Sequence, residues 1–308
     1  MAIAERLDEV HAVVLNDIAA AIIAQAADRR AGACAAWRAG RRRLRPRGAQ
    51  INVQNTLKHQ LDFEDLNGLM LLLDHGADPN HLNDNGENAL HWAIYRRRSR
   101  ACLEPLVNHG VNIEHPRNDG LTPYRLALRM GHQPAIQLLR ERGADISAST
   151  PIDDLLCAAS AGDADTARSI AATHPDLVNS MTPAELGMVA GFADEGNARS
   201  VEILLDCGFP ADARGELNGT ALHWAAWKGR VDAVRVLVDH GATLEVTGAN
   251  LGSTPLQWAI HASAHNPEIT QEEALGVVKT LMDAGATVGG LDMGSDEVRT
   301  YVENRLRG

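Results

Sequence analysis

The chain carries short leucine-rich segments that each run into a glycine, and this order of apolar and polar positions recurs along most of its length. The residues four and seven positions before each glycine are apolar, and a spacing of three places such a pair on one face of an α-helix. A glycine directly after a helix supplies the left-handed residue that commonly ends it. The pattern predicts amphipathic helices with the apolar pairs Leu69 and Leu72, Leu103 and Leu106, Ile136 and Leu139, Val201 and Leu204, Val234 and Leu237, and Val278 and Leu281.

The closing glycines recur at a nearly constant interval. Gly110 and Gly143 are 33 residues apart, as are Gly208 and Gly241. The 65 residues from Gly143 to Gly208 leave room for one degenerate unit between them. The 44 residues from Gly241 to Gly285 indicate an insertion of about 11 residues into a 33-residue unit. A period of this length is typical of stacked structural repeats.

A second phrase precedes each of these helices. Its Thr or Asn can cap a helix N-terminus, and the Pro that often follows fits the first helical turn. Each phrase therefore predicts a further short helix, so that two antiparallel helices and a projecting turn make one unit. The phrases are NALHWAI at Asn88, TPYRLAL at Thr122, TPAELGM at Thr182, TALHWAAW at Thr220 and TPLQWAI at Thr254.

These paired signatures resemble the ankyrin repeat, whose Thr-Pro-Leu-His-like helix start is matched best by TALHWAAWKGR and by GVNIEHPRNDGLTPYRLAL. The resemblance covers about Asn52 to Val288. It implies an all-α solenoid of about seven helix-turn-helix repeats with projecting turns and terminal capping helices. The repeats are expected near 52–83, 84–117, 118–150, 151–181, 182–215, 216–249 and 250–289, within a solenoid spanning 51–289.

Some segments depart from the repeat. His174-Pro175 replaces the glycine turn of the fourth unit, and GMVAGFADEGNARS in the next unit is irregular. The last units resemble bacterial ankyrin-repeat proteins with an extended loop in the last repeat, here residues 262–274. Residues 1–50 are expected to form an Ala- and Arg-rich arm, helical or partly disordered, and 290–308 a C-terminal capping helix.

Charge divides the chain into a basic arm and an acidic body. The 308 residues carry a net charge of −11, but Arg29 to Leu61 hold eight Arg and one Lys without any acid. That segment carries +9, so the remainder carries −20. An acidic body repels phosphates, so nucleic-acid binding is not expected except through Arg41, Arg42, Arg43, Arg45 and Arg47.

Composition also indicates the setting. Lys occurs only at Lys58, Lys228 and Lys279, and so strong a preference for Arg is typical of GC-rich bacterial genomes. The four cysteines lie far apart, which favours neither a disulfide framework nor a zinc site and suggests a reducing cytoplasm. Val10 to Ala27 is interrupted by polar residues and is preceded by acids, so we expect neither a signal peptide nor a transmembrane segment.

No sequence motif for catalysis or cofactor binding stands out. We therefore expect neither catalytic residues nor a cofactor. Phosphate-binding, dinucleotide-binding and nucleophile-elbow motifs are missing from the sequence. His261 and His265, followed by acids up to Glu273, have metal-like spacing, but Asn266-Pro267 favours a loop over a continuous helix. The resemblance implies that His91 and His223 brace the turn by hydrogen bonding. His75, His109 and His240 precede helix-ending glycines and are expected to serve the helix C-termini.

The candidate partner-binding residues come from positions that change chemistry between repeats. Trp92, Trp224 and Trp258 share one slot and are expected in the core. The slot three residues later holds Tyr95, Arg129, Trp227 and His261, which the resemblance places on a concave face. Arg117 and Glu216 are expected on the rim formed by the turn tips, for which a merely solvated polar edge is the alternative.

These features predict a cytoplasmic scaffold or adaptor that binds another protein. One alternative is an inhibitor or immunity-type protein that blocks a single enzyme. A second is an enzyme that uses the insertion between His261 and Glu273. A third is nucleic-acid or membrane-surface binding through the Arg-rich arm, which could equally be a disordered leader or a tether on the acidic body. The sequence indicates neither the partner's identity nor the oligomeric state.

Overall fold

The computed structural model describes residues 56–215, 218–248, 252–289 and 294–307. Within these ranges the chain forms helices and no strands, and a single isolated bridge joins Arg214 and Thr220. The all-α class predicted from the sequence is confirmed. The chain divides into two compact units, Met1–Pro123 and Tyr124–Gly308, whose described parts consist of paired helices.

The first unit contains two helix pairs. They are formed by α1 (Thr56–Asp62), α2 (Leu66–Asp74), α3 (Ala89–Tyr95) and α4 (Arg100–Asn108). Helix α1 packs on α2 and α3 packs on α4, while α1 also contacts α3 and α2 contacts α4. Leu69, Leu103 and Leu106 are fully buried and Leu72 is nearly so, as the pattern of leucines before each glycine predicts.

The second unit contains more helices, which are also paired. They are α5 (Pro123–Arg129), α6 (Gln133–Glu141), α7 (Pro151–Ser160), α8 (Ala164–Thr173), α9 (Pro183–Leu186), α10 (Met188–Glu195), α11 (Ala198–Asp206), α12 (Ala221–Trp227), α13 (Val231–Asp239), α14 (Pro255–His265), α15 (Gln271–Asp283) and α16 (Asp296–Arg307). The first three pairs, counting α10 with α11, are followed by two further pairs and a terminal helix.

Two layers of helices form the core of this unit. The first helices α10, α12 and α14 pack side by side, and so do the second helices α11, α13 and α15. Val234 and Leu237 of α13 have no exposed surface, and neither do their counterparts in α11 and α15. Burying a leucine side chain contributes about 2 kcal/mol, so this repeated leucine layer holds the helix pairs together.

The predicted ends of the second helices are confirmed. After α13 the chain adopts φ +77° at Gly241, the left-handed conformation that glycine tolerates best. The predicted starts of the first helices are confirmed at Thr220 and Thr254, where the backbone N–H of the capping residue donates to the side chain of the third helical residue.

The unit that begins at Thr182 differs from its prediction. Thr182 does cap a helix, but this is the four-residue α9, which lies outside the row of first helices. The first helix of this unit, the one that packs beside α12, is therefore α10, which begins at Met188. The sequence in this unit therefore contains an extra helical turn before the regular pair.

The predicted loop at 262–274 is mostly helical, and this corrects the expectation of an extended loop. Helix α14 continues four residues further than α12 by length and ends only at His265, while α15 already begins at Gln271. Thr270 and Glu273 form a capping box that starts α15. The inserted residues therefore lengthen both helices of the last pair.

The structure describes a terminal helix at the C-terminal end of the chain. Helix α16 packs against α14 and α15 and buries Val298 and Val302, where a C-terminal capping helix is predicted. The arm predicted at 1–50, including Arg41, Arg42, Arg43, Arg45 and Arg47, lies outside the described residues.

Candidate functional site

Five aromatic rings line up across the ends of α12 and α14, and we call them the aromatic row: Trp224, Trp227, Trp258, His261 and His265. Their spacings of three and four residues place them on one face of each helix. The ring centroids of Trp224 and Trp258 are 5.6 Å apart, and those of Trp227 and Trp258 are 6.4 Å apart, both edge to face. Trp227 stacks on His261 at 5.9 Å, and His261 lies 4.3 Å from His265.

The aromatic row is partly open to solvent. The tryptophans and His261 are half-buried, and His265 is exposed. Trp224, which is expected in the core, does pack against it, but like Trp92 and Trp258 it is only partly buried, so this slot of the repeat is half-buried. Aromatic pairs at these distances contribute about 0.5–1.5 kcal/mol beyond their buried area, so the rings form a stiff, partly apolar surface.

Polar contacts join the C-terminal ends of α12 and α14 beside the aromatic row. The side-chain amide of Asn266 donates to the backbone oxygen of Trp227 at 2.8 Å, which ties the end of α14 to the end of α12. Beside it, Lys228 pairs with Glu268 at 2.5 Å. Two buried polar atoms of the row, Trp258 Nε1 and His261 Nδ1, have no hydrogen-bond partner. Burial, and then the charge of His265, lowers the pKa of His261.

A smaller aromatic group surrounds Tyr95 in the first unit. The rings of Trp92 and Tyr95 are 5.6 Å apart, and Lys58 Nζ lies 3.4 Å from the centroid of the Trp92 ring. Trp92 Nε1 donates to Asp62 at 2.9 Å, and Arg96 binds the same carboxylate. Tyr95 is half-buried, so the position predicted from the sequence does reach the surface.

Arg129 does not reach the surface, which corrects its assignment as a recognition residue. Only 5% of it is exposed. Its Nε donates to Asp153 at 2.5 Å and its Nη1 to Glu185 at 2.8 Å, while Arg125 binds the other oxygen of Asp153 at 2.7 Å. A guanidinium held by two carboxylates inside the unit cannot also bind a partner.

Of the two residues predicted on the rim, Arg117 and Glu216, the structure describes only Arg117. Arg117 pairs with Glu87 at 3.0 Å and also with Asp119, and its side chain is 19% exposed. It therefore joins successive turns of the first unit, where Asn118 also donates its backbone N–H to Asn85. Glu216 lies outside the described residues.

The histidines of the repeat framework have the bracing contacts expected of them. His91 Nε2 donates to the backbone oxygen of Leu121 at 3.2 Å, and His223 Nε2 donates to that of Ser253 at 3.1 Å. Burial lowers the pKa of His91 to about 4. The imidazoles of His75, His109 and His240 each donate Nδ1 to a backbone oxygen four residues earlier, at 2.7 to 2.8 Å.

His261 and His265 both lie on the continuous helix α14, although Asn266-Pro267 had favoured a break before His265. Their rings contact each other at an angle of 36°, and among the described residues no three His, Cys, Asp or Glu side chains are grouped as metal ligands. The described cysteines Cys102, Cys157 and Cys207 are free thiols. Across the described ranges, no helix has the length and apolar character that crossing a membrane requires.

His265 and the exposed edge of Trp258 were not predicted as site residues. The available signal was their spacing: His261 and His265 are four apart, and Trp258 is three before His261. Asn266-Pro267 favours a loop in this segment, and a loop would not hold these side chains on one helical face. The capping box at Thr270 shows that the segment before it could remain helical up to Asn266.

Comparisons with known proteins agree with this helical-pair architecture. The family model described as "Ankyrin repeats (3 copies)" matches residues 61–150 and 188–289. The B-cell lymphoma 3 protein homolog of Mus musculus is 30% identical over 193 residues, which cover 61% of this chain and 36% of that protein. Palmitoyltransferase Hip14 of Drosophila melanogaster is 35% identical over 91 residues, 30% of this chain and 13% of the enzyme.

A solved structure, the human ASB11 ankyrin repeat domain, is 22% identical and covers 76% of this chain and 99% of that domain, with a TM-score of 0.35. The chain thus spans about a third or less of the length of the curated relatives described above.

Proposed function

Because this chain belongs to the ankyrin repeat family, we propose that it is a scaffold or adaptor that binds another protein through the aromatic row, in a cytoplasmic setting. Repeat proteins of this kind use the extended surface formed by successive repeats for binding. The match to a palmitoyltransferase covers only 13% of that enzyme. We therefore assign binding, and no catalytic role, to this chain.

The observation that carries the proposal is the gathering of aromatic side chains at a partly open surface. The chain has only five tryptophans, and three of them lie in the aromatic row. Tryptophan is enriched among the residues that dominate binding energy, because a rigid ring offers a large contact area. Trp227 and His261 are the central residues, with Trp258 and His265 beside them.

Buried polar atoms without partners support the same surface. Leaving such an atom unpaired costs about 1–3 kcal/mol in a folded protein. Two of these atoms, Trp258 Nε1 and His261 Nδ1, lie in the aromatic row. A partner that offers backbone oxygens could pair with them after a small rotation of the rings. This would make binding more favourable than the buried area alone provides.

Tyr95 and Trp92 form a second candidate contact, on the first unit. Lys58 and Arg96 border these rings, so this contact has more positive charge than the aromatic row. Arg117 is a supporting residue here, because its guanidinium holds two successive turns in place. We assign no partner contact to Arg129.

Charge favours a protein over a nucleic acid as the partner. Residues 57–215, 218–248, 252–289 and 294–307 contain 33 acidic and 20 basic side chains, a net charge of −13. Phosphates are repelled by such a surface. A nucleic acid or an anionic membrane would have to bind the Arg-rich segment from Arg41 to Arg47 and would be released by salt.

The test is substitution within the aromatic row, read out on a captured partner. Proteins retained by the immobilised full chain are identified first, and affinity is then measured by titration calorimetry. Trp227→Ala should weaken binding by about 2 kcal/mol, roughly 30-fold in Kd, because it removes the central ring. Trp227→Phe should recover part of this affinity.

The matched control is Arg235→Ala on α13, whose side chain is 61% exposed away from the aromatic row. It should leave the affinity unchanged. Equal affinities of Trp227→Ala and the wild type would exclude the aromatic row as the binding surface. The number of captured proteins separates the two forms of binding: several partners indicate an adaptor, and one stoichiometric enzyme indicates an inhibitor.

A further inference from the structure

The outer face of α2 is apolar, and at its Met70 position the other second helices carry a polar residue. Leu66 is 38% exposed and Met70, four residues later on the same face, is 36% exposed. Phe63, in the turn just before α2, is 74% exposed. We call these three residues the α2 face.

An exposed apolar residue at the position of Met70 is unusual among the repeats. The position of Met70 in α2 corresponds to Glu104 in α4, Gln137 in α6, Glu202 in α11 and Arg235 in α13. Elsewhere, then, this position carries a polar side chain that water can solvate. An apolar residue here points to something that covers it, because exposed apolar clusters commonly mark contact sites.

We propose that the chain's own N-terminal segment, Val10 to Ala27, covers the α2 face. This segment lies only a few dozen residues before Phe63, and its valines and isoleucines recur at Val14, Ile18 and Ile22. A spacing of four places them in one apolar stripe if the segment is helical. An 18-residue helix is about 27 Å long, against about 14 Å for the nine residues of α2. The stripe is long enough to cover the face.

Charge supports this occupant over others. Glu64 and Asp74 stand at the two ends of α2; Arg98 binds Glu64 and His109 binds Asp74, yet the two acidic side chains remain 42% and 54% exposed. The segment that follows Ala27 carries eight arginines between Arg29 and Arg47 and no acid. An apolar stripe followed by positive charge therefore complements an apolar face bordered by acids.

The covalent link through residues 28–55 also favours the chain's own segment over the same segment of a second protein molecule. Residues 28–55 join the segment to α1 and could extend to about 90 Å, which is far more than the contact needs. A segment held on such a linker has an effective concentration of around a millimolar. A second copy of the chain would have to compete at its much lower solution concentration.

Hydrogen–deuterium exchange of the full chain tests the proposal. In the wild type, peptides within 10–27 should exchange about tenfold or more slowly than an unstructured chain. Met70→Glu places the charge of Glu104 on the α2 face and should return these peptides to near-intrinsic exchange. The matched control, Gln137→Glu at the same position of α6, should leave the protection in place. Circular dichroism checks that both variants retain their helices.

A second measurement reports how exposed Met70 of the α2 face is. Ile18→Asp should make Met70 several-fold more reactive toward peroxide, because methionine oxidation follows exposure. Near-intrinsic exchange of 10–27 in the wild type would overturn the proposal, and so would protection that survives Met70→Glu. Protection that disappears on dilution, together with a dimer mass by light scattering, would assign the face to a second copy instead. None of these outcomes depends on the aromatic row.

Discussion

Replacing Arg129 by Met should destabilise the second unit and leave partner binding intact. Methionine keeps much of the side-chain volume, so the change mainly removes the charge. Asp153 has no exposed surface, and it would lose one of its two guanidinium partners. Glu185, whose side chain is 17% exposed, would lose its contact with Arg129 as well.

The size of the destabilisation depends on the partners that Asp153 and Glu185 would keep in Arg129→Met. Breaking a buried ion pair by removing one partner typically costs about 3–5 kcal/mol. Asp153 would keep Arg125 at 2.7 Å and the backbone N–H of Thr150 at 2.9 Å. Glu185 would keep Thr182 and some contact with water. We therefore expect the lower end of that range, about 3 kcal/mol.

The pH of the measurement matters because the carboxylate must be ionised. Burial alone would raise the pKa of Asp153, but hydrogen bonds from Arg125 and Arg129 outweigh it, and the pKa is lowered. This stabilisation is present above the unfolded-state pKa and is lost as the pH falls through the lower folded-state pKa. The destabilisation by Arg129→Met should therefore be complete at pH 7 and shrink in strong acid.

Urea unfolding at pH 7, followed by far-UV circular dichroism, measures the effect. Arg235→Ala, which breaks an exposed pair with Asp232, is the control and should change little. A free energy of unfolding for Arg129→Met within about 0.5 kcal/mol of the wild type would mean that solvation offsets the buried pairs. Weaker partner binding by a fully folded Arg129→Met would restore Arg129 to the recognition surface.

Further expectations concern the core, a turn and a buried histidine. Leu237→Ala should cost about 2–5 kcal/mol of unfolding free energy by leaving a cavity in a fully buried layer, and a wild-type urea midpoint would contradict its core position. Gly86→Ala should cost more than about 1 kcal/mol, because φ is +73° and the new Cβ would lie 2.5 Å from Asn118 Oδ1; an unchanged thermal midpoint would count against this geometry. The pKa of His91 is lowered to about 4, so its folded form is neutral. Its stabilisation is complete above about pH 6.5 and should fall by about 3 kcal/mol toward pH 4, measured as the shrinking difference between the wild type and His91→Gln.

The helices themselves could be predicted because their signals are local. A pair of leucines, a capping Thr and a closing Gly occur within one unit, and Thr220 and Gly241 have the predicted roles. The aromatic row was predicted in part for the same reason. Trp227 and His261 occupy one slot of the repeat, so sequence alignment of the units was enough to single them out.

The errors came from contacts between residues far apart in the chain. Arg129 occupies the same slot as Trp227, but Glu185, 56 residues later, binds it from the extra helix α9. Nothing near Arg129 in the sequence indicates this partner. The degree of burial of Trp92, Trp224 and Trp258 could not be predicted locally either, because it depends on how much of each ring the neighbouring repeat covers.

The bracing histidines couple each repeat to the next. His91 and His223 each bond to a backbone oxygen 30 residues further along, in the following repeat. In a repeat array the free energy divides into a term for each unit and a term for each interface between neighbours. Loss of either imidazole would weaken the interface term, so the helix pairs on the two sides of that interface would unfold more independently of each other.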